Sequence, residues 1–275
     1  MPADRGAAAE RPRARLHVAA DLAAGVPVAL DAAQAHYLTH VLRLGPEAPV
    51  ALFNGRDGEW LARIASVGKR RCVIEPVALR RPQASGADVW LLFAPVKRQP
   101  LDLMVRQATE LGASRLQPVL TRHTVAERVN VERLRAIAIE AAEQCERLDL
   151  PEVGAPQPLA QALADWPAGR RLILCDESGG GPPLAPALRA LAPSPAALLT
   201  GPEGGFAPAE LDALRDLDFV TAVGLGPRIL RAETAALSAL AVWQALHGDG
   251  AQPPPARAHG SARSAPGPGF PFAQE

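Results

Sequence analysis

Lysine is almost absent from this chain. Of its 29 basic residues only Lys69 and Lys97 are lysine, and the arginine excess accompanies abundant alanine and proline, the usage of a GC-rich genome rather than a dedicated phosphate grip. Cysteine is scarce too. Cys72, Cys145 and Cys175 are odd in number and far apart, which argues against a disulfide framework and fits a reducing cytoplasm. No run of about 20 apolar residues is present, so no membrane span is expected. The opening "MPADRGAAAERPRAR" has no apolar core of the length a signal peptide needs, and reads as a disordered tail. Formal net charge is +0, so the protein as a whole is no polycation. What is present is ample apolar material: 48% of residues are hydrophobic, enough for a real core. The 275 residues fit two domains or one large one.

Charge is unevenly divided. Residues 1–86 hold 12 Lys+Arg against 8 Asp+Glu, and the remainder holds 17 against 21, which makes the first part the better candidate for contacting a polyanion. Between Arg13 and Arg81 the segments are short and strand-like, "ARLHV", "VPVAL", "PVALFNG", "EWLARIASV" and "RCVIEPVAL". "NGRDGE" is a hairpin loop signal, and one helix, "DAAQAHYLTHVLR" with Asp31 as cap, interrupts the strands. A small β-barrel is expected. "RRPQASG" (80–86) reads as a linker, and 248–275, rich in Pro, Gly, Ala and Ser, as a disordered tail.

Beyond Asp88 strands and helices alternate. Strands are expected at 88–94, 115–120, 171–175, 196–200 and 218–226, and helices at 100–112, 131–147, 159–166, 208–217 and 232–247. Pro100 would open the first helix and Gly112 close it. This alternation predicts an α/β fold, a parallel sheet with helices on both faces. The last helix is apolar almost all round, so a second copy of the chain is expected to cover part of it, giving a homodimer.

Ligands of such sheets bind beyond the carboxyl ends of the strands. "LLTGPEGGF" (198–206) occupies one such end, with Gly201, Gly204 and Gly205 allowing close backbone approach. It is no phosphate cradle. No Lys-Ser/Thr follows it, no G-x-G-x-x-G opens a helix, and Glu203 would repel a phosphate. A carboxylate there suits an uncharged or cationic ligand. "VGLGPRILRAETAAL" (223–237) repeats the arrangement of strand, glycine-rich turn and helix, with Glu233 in the first helical turn, where the helix dipole favours an acid. Capping alone does not account for two such loops at neighbouring strand ends.

"LTGPEGGF" followed by "LGPRILRAETA" resembles the bacterial 16S ribosomal RNA uracil-N3 methyltransferases of the SPOUT superfamily, whose C-terminal chain is threaded into a trefoil knot. The weaker segments "HYLTHVLRLGPEAPVALFNGRDGEW", "KRQPLDLMVRQATELGASRLQPVLT" and "EAAEQCERLDLP" are similar to the same family, so the resemblance covers roughly residues 13–247. It implies a disordered tail at 1–12, a PUA-like β-barrel RNA-binding domain at 13–81, a SPOUT methyltransferase domain with C-terminal knot at 87–247, and a tail at 248–275. It implies S-adenosyl-L-methionine as cofactor, held by Thr200, Gly201, Pro202, Glu203, Gly204, Gly205, Leu225, Gly226, Ile229 and Leu230. The implied reaction is methylation of N3 of uridine 1498 of 16S rRNA in the small ribosomal subunit, by a cytoplasmic homodimer without metal or membrane contact.

N3 of neutral uridine carries a proton and must lose it to become a good nucleophile, helped by a base and by cationic donors near O2 or O4. Arg231 is the candidate stabiliser, and Glu203 and Glu233 are alternative bases. Arg15, Arg43, Lys97 and Arg147 are the candidate RNA contacts. On a helix Glu140/Gln144 and Glu143/Arg147 are i,i+4 pairs, and the match at Glu143, Gln144 and Arg147 implies a helix end bordering the site. One position departs from the family pattern: Gln107 stands where a lysine often precedes the "ATELG" run. His36 and His40 are helix neighbours without a third metal ligand, and Cys175 ends a strand as a core residue. Other readings remain open: a SPOUT methyltransferase acting on another RNA position, a dinucleotide-dependent α/β enzyme, which lacks its fingerprint, and a non-catalytic RNA-binding protein with the knotted fold.

Overall fold

The computed structural model describes residues 10–68, 71–125 and 128–253. Of the tails expected at 1–12 and 248–275, residues 1–9 and 254–275 lie outside the described residues. Glu10 pairs with Arg63, and Arg13 N–H bonds to Pro49 O, so the chain is already packed at residue 10.

The first unit is a five-stranded sheet built from β1 (Arg15–His17), β2 (Val28–Ala29), β3 (Pro49–Phe53), β4 (Glu59–Val67) and β5 (Cys72–Arg81), in the order β1-β3-β4-β5-β2. Only the β1–β3 pair is parallel. Leu16, Leu38, Val50, Leu52, Ile64 and Ile74 form its core. Helix α1 (Ala32–His36) begins as expected at Asp31. Its carboxylate accepts from Gln34 N–H, and the Gln34 amide oxygen accepts from Asp31 N–H, a reciprocal cap. A π-helical turn, Tyr37–Val41, extends it.

The second unit is a seven-stranded sheet in which every paired strand is parallel. Its strands are β6 (Val89–Phe93), β7 (Arg115–Leu120), β8 (Glu152–Val153), β9 (Gln157–Pro158), β10 (Arg171–Cys175), β11 (Ala196–Thr200) and β12 (Val220–Val223). The order is β12-β10-β11-β6-β7-β8, with β9 also on β7. Side chains alternate across β6: Val89, Leu91 and Phe93 enter one core with Met104, Val105 and Trp243, while Leu92 enters the other with Leu174, Leu199 and Phe206. Both faces are therefore buried, which is why these strands read as unbroken apolar runs.

The helices are α2 (Arg98–Glu110), α3 (Val131–Cys145), α4 (Leu159–Ala164), α5 (Leu184–Ala190), α6 (Pro208–Arg215) and α7 (Ala232–His247). Helix α2 starts two residues before the sequence expectation. Pro100 is third rather than first, still inside the turn whose N–H groups have no helical partner. Helix α3 stops at Cys145 because Glu146 turns left-handed (φ 63°). Strand β12 is shorter than expected, since Gly224–Gly226 leave the sheet. The sequence reading lacks α5, whose short span holds Pro186 and follows Pro183, both of which read as loop. Residues 248–253, assigned to the tail by composition, hold a short 3-10 turn, Asp249–Ala251, in which Asp249 N–H donates to the Gln244 side chain and residues 249–253 stay exposed.

The two units are joined through Glu59, only 2% exposed. Its carboxylate accepts from Arg15 (2.7 Å), Arg80 (2.7 Å) and Arg81 (2.6 Å). Arg15 also donates to Ala142 O and Arg147 O, both at 2.7 Å, and Arg81 to Glu146 O. Cations thus cover carbonyls at the C-terminal end of α3, where the helix dipole is negative. Burial pushes the Glu59 carboxyl up, but hydrogen bonds from Arg81 and Arg15 outweigh it and hold it below the usual range. A depressed carboxyl contributes stability that is complete above its unfolded-state value and lost as pH falls through the folded one. Glu59→Gln is expected to cost about 3 kcal/mol at pH 7, because three guanidinium groups lose their counter-charge. In urea melts the gap to the parent protein should shrink below about pH 4; a gap independent of pH would contradict this account.

Candidate active site

Strands β10, β11 and β12 end at the same edge of the sheet, and each runs into a glycine-rich turn: 176–183, 201–207 and 224–231. The first and third turns cross in contact. Gly224 N–H bonds to Pro182 O (2.9 Å), and Leu184 N–H bonds to Gly224 O (3.0 Å). At the crossing a Cβ on Gly181 would lie 2.5 Å from Ala222 O and 2.8 Å from Val223 Cα. Only glycine lets the two backbones approach this closely. The chain then passes the first turn and enters α7, which packs on α2, α5 and the sheet.

The three turns enclose a cavity of about 590 Å³. Thr200, Gly201, Pro202, Glu203 and Gly205 line it from the second turn. Leu225, Gly226, Ile229, Leu230 and Arg231 line it from the third. The paired motifs therefore meet in one place. Gly204 is the exception: it is not among the lining residues, and its carbonyl lies 3.1 Å from His123 Nδ1, on the side of the loop that follows β7. Glu233 does not line the cavity either, being committed to the first turn of α7. Ile229 lines it from an almost fully exposed position, 99% accessible.

Thr200 closes β11 with a hydroxyl that is buried and has no hydrogen-bond partner among the described residues. An unpaired buried hydroxyl is costly, and Thr200 stands on the cavity wall. Burial pushes the Cys175 thiol up to about 12, so the sulfur on this wall is a neutral apolar surface and no nucleophile.

The first turn is missing from the sequence reading, yet its Asp176, Glu177 and Gly179 line the cavity beside Cys175 at the end of β10. A signal exists in "RLILCDESGGG", a third strand followed by acids and glycines. The Asp176 side chain is fully buried and accepts from Ser178 N–H, Ser178 Oγ and Arg215. Burial raises its carboxyl, and these hydrogen bonds more than reverse that, leaving it below the usual range.

Two sequence-predicted RNA contacts are corrected. Arg15 is held by Glu59 and α3 carbonyls and lies 3.7 Å over the Phe53 ring, so its guanidinium is buried in the joint between the units. Arg147 pairs with Asp149 and donates to Thr109 O and Ala113 O. The left-handed Glu146 swings it away from Glu143, whose carboxylate accepts from His17 N–H instead. Neither that helix end nor Gln144 lines the cavity. Arg43 and Lys97 are exposed, Arg43 with left-handed backbone (φ 53°). His36 and His40 stack at 4.7 Å, and among the described residues no group of three or more potential ligands is placed to hold a metal.

Residues 83–244 match the family model described as RNA methyltransferase domain, and residues 30–77 match that described as RNA methyltransferase PUA domain. The ribosomal RNA small subunit methyltransferase E of Rickettsia conorii is 34% identical over 209 residues, covering 75% of this chain and 84% of the relative. That of Synechocystis is 34% identical over 236 residues, covering 84% and 77%. The chain belongs to the ribosomal RNA small subunit methyltransferase E family. A Neisseria gonorrhoeae member of this family, solved bound to S-adenosyl methionine, superposes with a TM-score of 0.75 at 26% identity, covering 86% of this chain and 98% of its own. The fold is accordingly that of the SPOUT-type knotted parallel-sheet methyltransferases, preceded by a small PUA-like β-barrel domain.

Since the crossing tolerates no side chain, Gly181→Ala is expected to lower stability by about 1–3 kcal/mol and to open the cavity. Chemical denaturation should show the loss, and an unchanged midpoint would mean the two turns can separate freely.

Proposed function

We propose that this chain binds S-adenosyl-L-methionine in the cavity of the three turns and methylates N3 of uridine 1498 in 16S rRNA of the small ribosomal subunit. Family membership supports the reaction class, and the unpartnered Thr200 hydroxyl is the observation that carries the ligand assignment. The lining fits this cofactor. It has backbone groups and hydroxyl for adenine and ribose, apolar side chains at Leu225, Ile229 and Leu230, acids for a sulfonium or ammonium, and arginines for a carboxylate. When bound, the cofactor supplies an electrophilic methyl group to N3.

In this reading Thr200, Gly201, Pro202, Glu203, Gly205, Leu225, Gly226, Ile229 and Leu230 hold the cofactor, and Gly204 serves the loop's packing on His123. Arg231 stabilises the negative charge that appears on the uracil oxygens when N3 is deprotonated. Glu203 is the better candidate base because it lines the cavity, whereas Glu233, in the first turn of α7, does not. Exposed Arg43 and Lys97 remain the RNA contacts. A homodimer accounts for the exposed Ile229 and for the face of α7 that the chain leaves partly open. The chain acts where the ribosome is, in the cytoplasm, and no helix among the described residues is long and apolar enough to cross a membrane.

Transfer of labelled methyl to small subunits lacking the modification, followed by nucleoside mass spectrometry, should place the label at uridine N3. Label on another base or atom would overturn the assignment. Arg231→Gln is expected to lower turnover about 100-fold or more while cofactor binding persists. Thr200→Val should leave the ligand-free protein at least as stable and weaken cofactor affinity about 5- to 10-fold by titration calorimetry; unchanged affinity would remove the hydroxyl from the site.

A further inference from the structure

The cavity has an acid that neither motif supplies. Glu177 lies in the first turn and lines the cavity beside Gly205. One carboxylate oxygen, Oε1, accepts from Phe206 N–H at 2.9 Å. The other oxygen has no hydrogen-bond partner, and the side chain forms no ion pair among the described residues. Gly205 makes this reach possible: its backbone is left-handed (φ 68°), and a Cβ there would collide with Glu177 Oε1. The turn behind Glu177 is fixed as well. Asp176 is locked by Ser178 and by Arg215 of α6, and a Cβ on Gly180 would lie 2.8 Å from the Arg215 guanidinium.

Glu177 is therefore a carboxylate held at one oxygen and open at the other, on the wall of a cavity whose arginines, Arg228 and Arg231, belong to the third turn. Glu203 is also on the wall, but nothing among the described residues holds its side chain. A pre-positioned acceptor loses little entropy on binding a cation. Opposite charges on separate turns suit a ligand that carries a cation and an anion at different ends.

We propose that Glu177 is the specificity-determining acid of the cofactor site, reading the positive charge of S-adenosylmethionine through its free carboxylate oxygen. This inference rests on the cofactor assignment above. The cation is either the sulfonium or the ammonium of the amino-acid end, and three ligands separate the two. S-adenosylhomocysteine keeps the ammonium and lacks the sulfonium charge. 5′-Methylthioadenosine keeps adenine and ribose and lacks both.

Titration calorimetry of the full chain and of Glu177→Gln with each ligand is the test. Glutamine retains an acceptor for Phe206 N–H, so the turn should stay in place, and thermal melts of the ligand-free proteins verify that. S-adenosylmethionine is expected to bind the variant about 10-fold more weakly, with methylthioadenosine changed by less than about two-fold. A loss shared by S-adenosylhomocysteine assigns the contact to the ammonium, and a loss confined to S-adenosylmethionine assigns it to the sulfonium. Equal losses for all three ligands would make Glu177 a holder of the loop only and overturn the proposal, as would no loss for any. Failure of the parent chain to bind S-adenosylmethionine would overturn the cofactor assignment and this inference together, whereas an unaffected variant beside a binding parent would overturn this inference alone.

Discussion

Two backbone segments pass each other, hydrogen-bonded between Gly224 and Pro182 and Leu184 and closely apposed at Gly181, and the functional architecture follows from that crossing. Strands β10 and β12 are neighbours in the sheet, so the turns leaving them must share the same edge. The third turn occupies it only because the first carries no side chain where Ala222 and Val223 pass. Once the crossing is made, β11, wedged between β10 and β6, delivers its own turn into the same space. A cavity walled by three turns results. Its shape is set by main chain, and Thr200, Glu177, Arg228 and Arg231 place polar side chains on its wall.

Charge plays two separate parts in this protein. In the joint between barrel and sheet, one buried glutamate organises three arginines, and two of them, Arg15 and Arg81, donate to the carbonyls at the end of α3. This is structural electrostatics, and it consumes Arg15, which the sequence presents as a free cation. At the cavity the acids and bases are less completely paired. Glu203, Arg228 and Arg231 face solvent on loops, where a ligand can take the place of water. The Asp176–Arg215 pair sits between the two roles: it is buried and paired, yet its effect is to fix a wall of the site.

How much was legible in the sequence depended on how local each signal was. Strands at 115–120, 171–175 and 196–200 and the helix at 232–247 coincide with β7, β10, β11 and α7, because apolar runs bounded by glycine or proline fix element type within a few residues. The paired glycine motifs could be read as a site, since both lie at strand ends of a parallel sheet. The first turn was hidden by its plainness, a "DESGGG" stretch resembling any surface loop until β10 is known to stand beside β12. Arg147 was misread for a similar reason. The i,i+4 pairing with Glu143 assumes the helix continues, and a single left-handed residue at Glu146 breaks it.

By itself the sequence determined the alternation of strands and helices, the barrel's separate texture, the two motif turns and the family they mark, because each is written in contiguous residues. Tertiary structure alone decided which charges are free. Whether an arginine contacts RNA or holds two domains together depends on what lies within about 3 Å of its guanidinium. For Arg15 that neighbour is Glu59, 44 residues away in the chain, and the carbonyl of Ala142, 127 residues away.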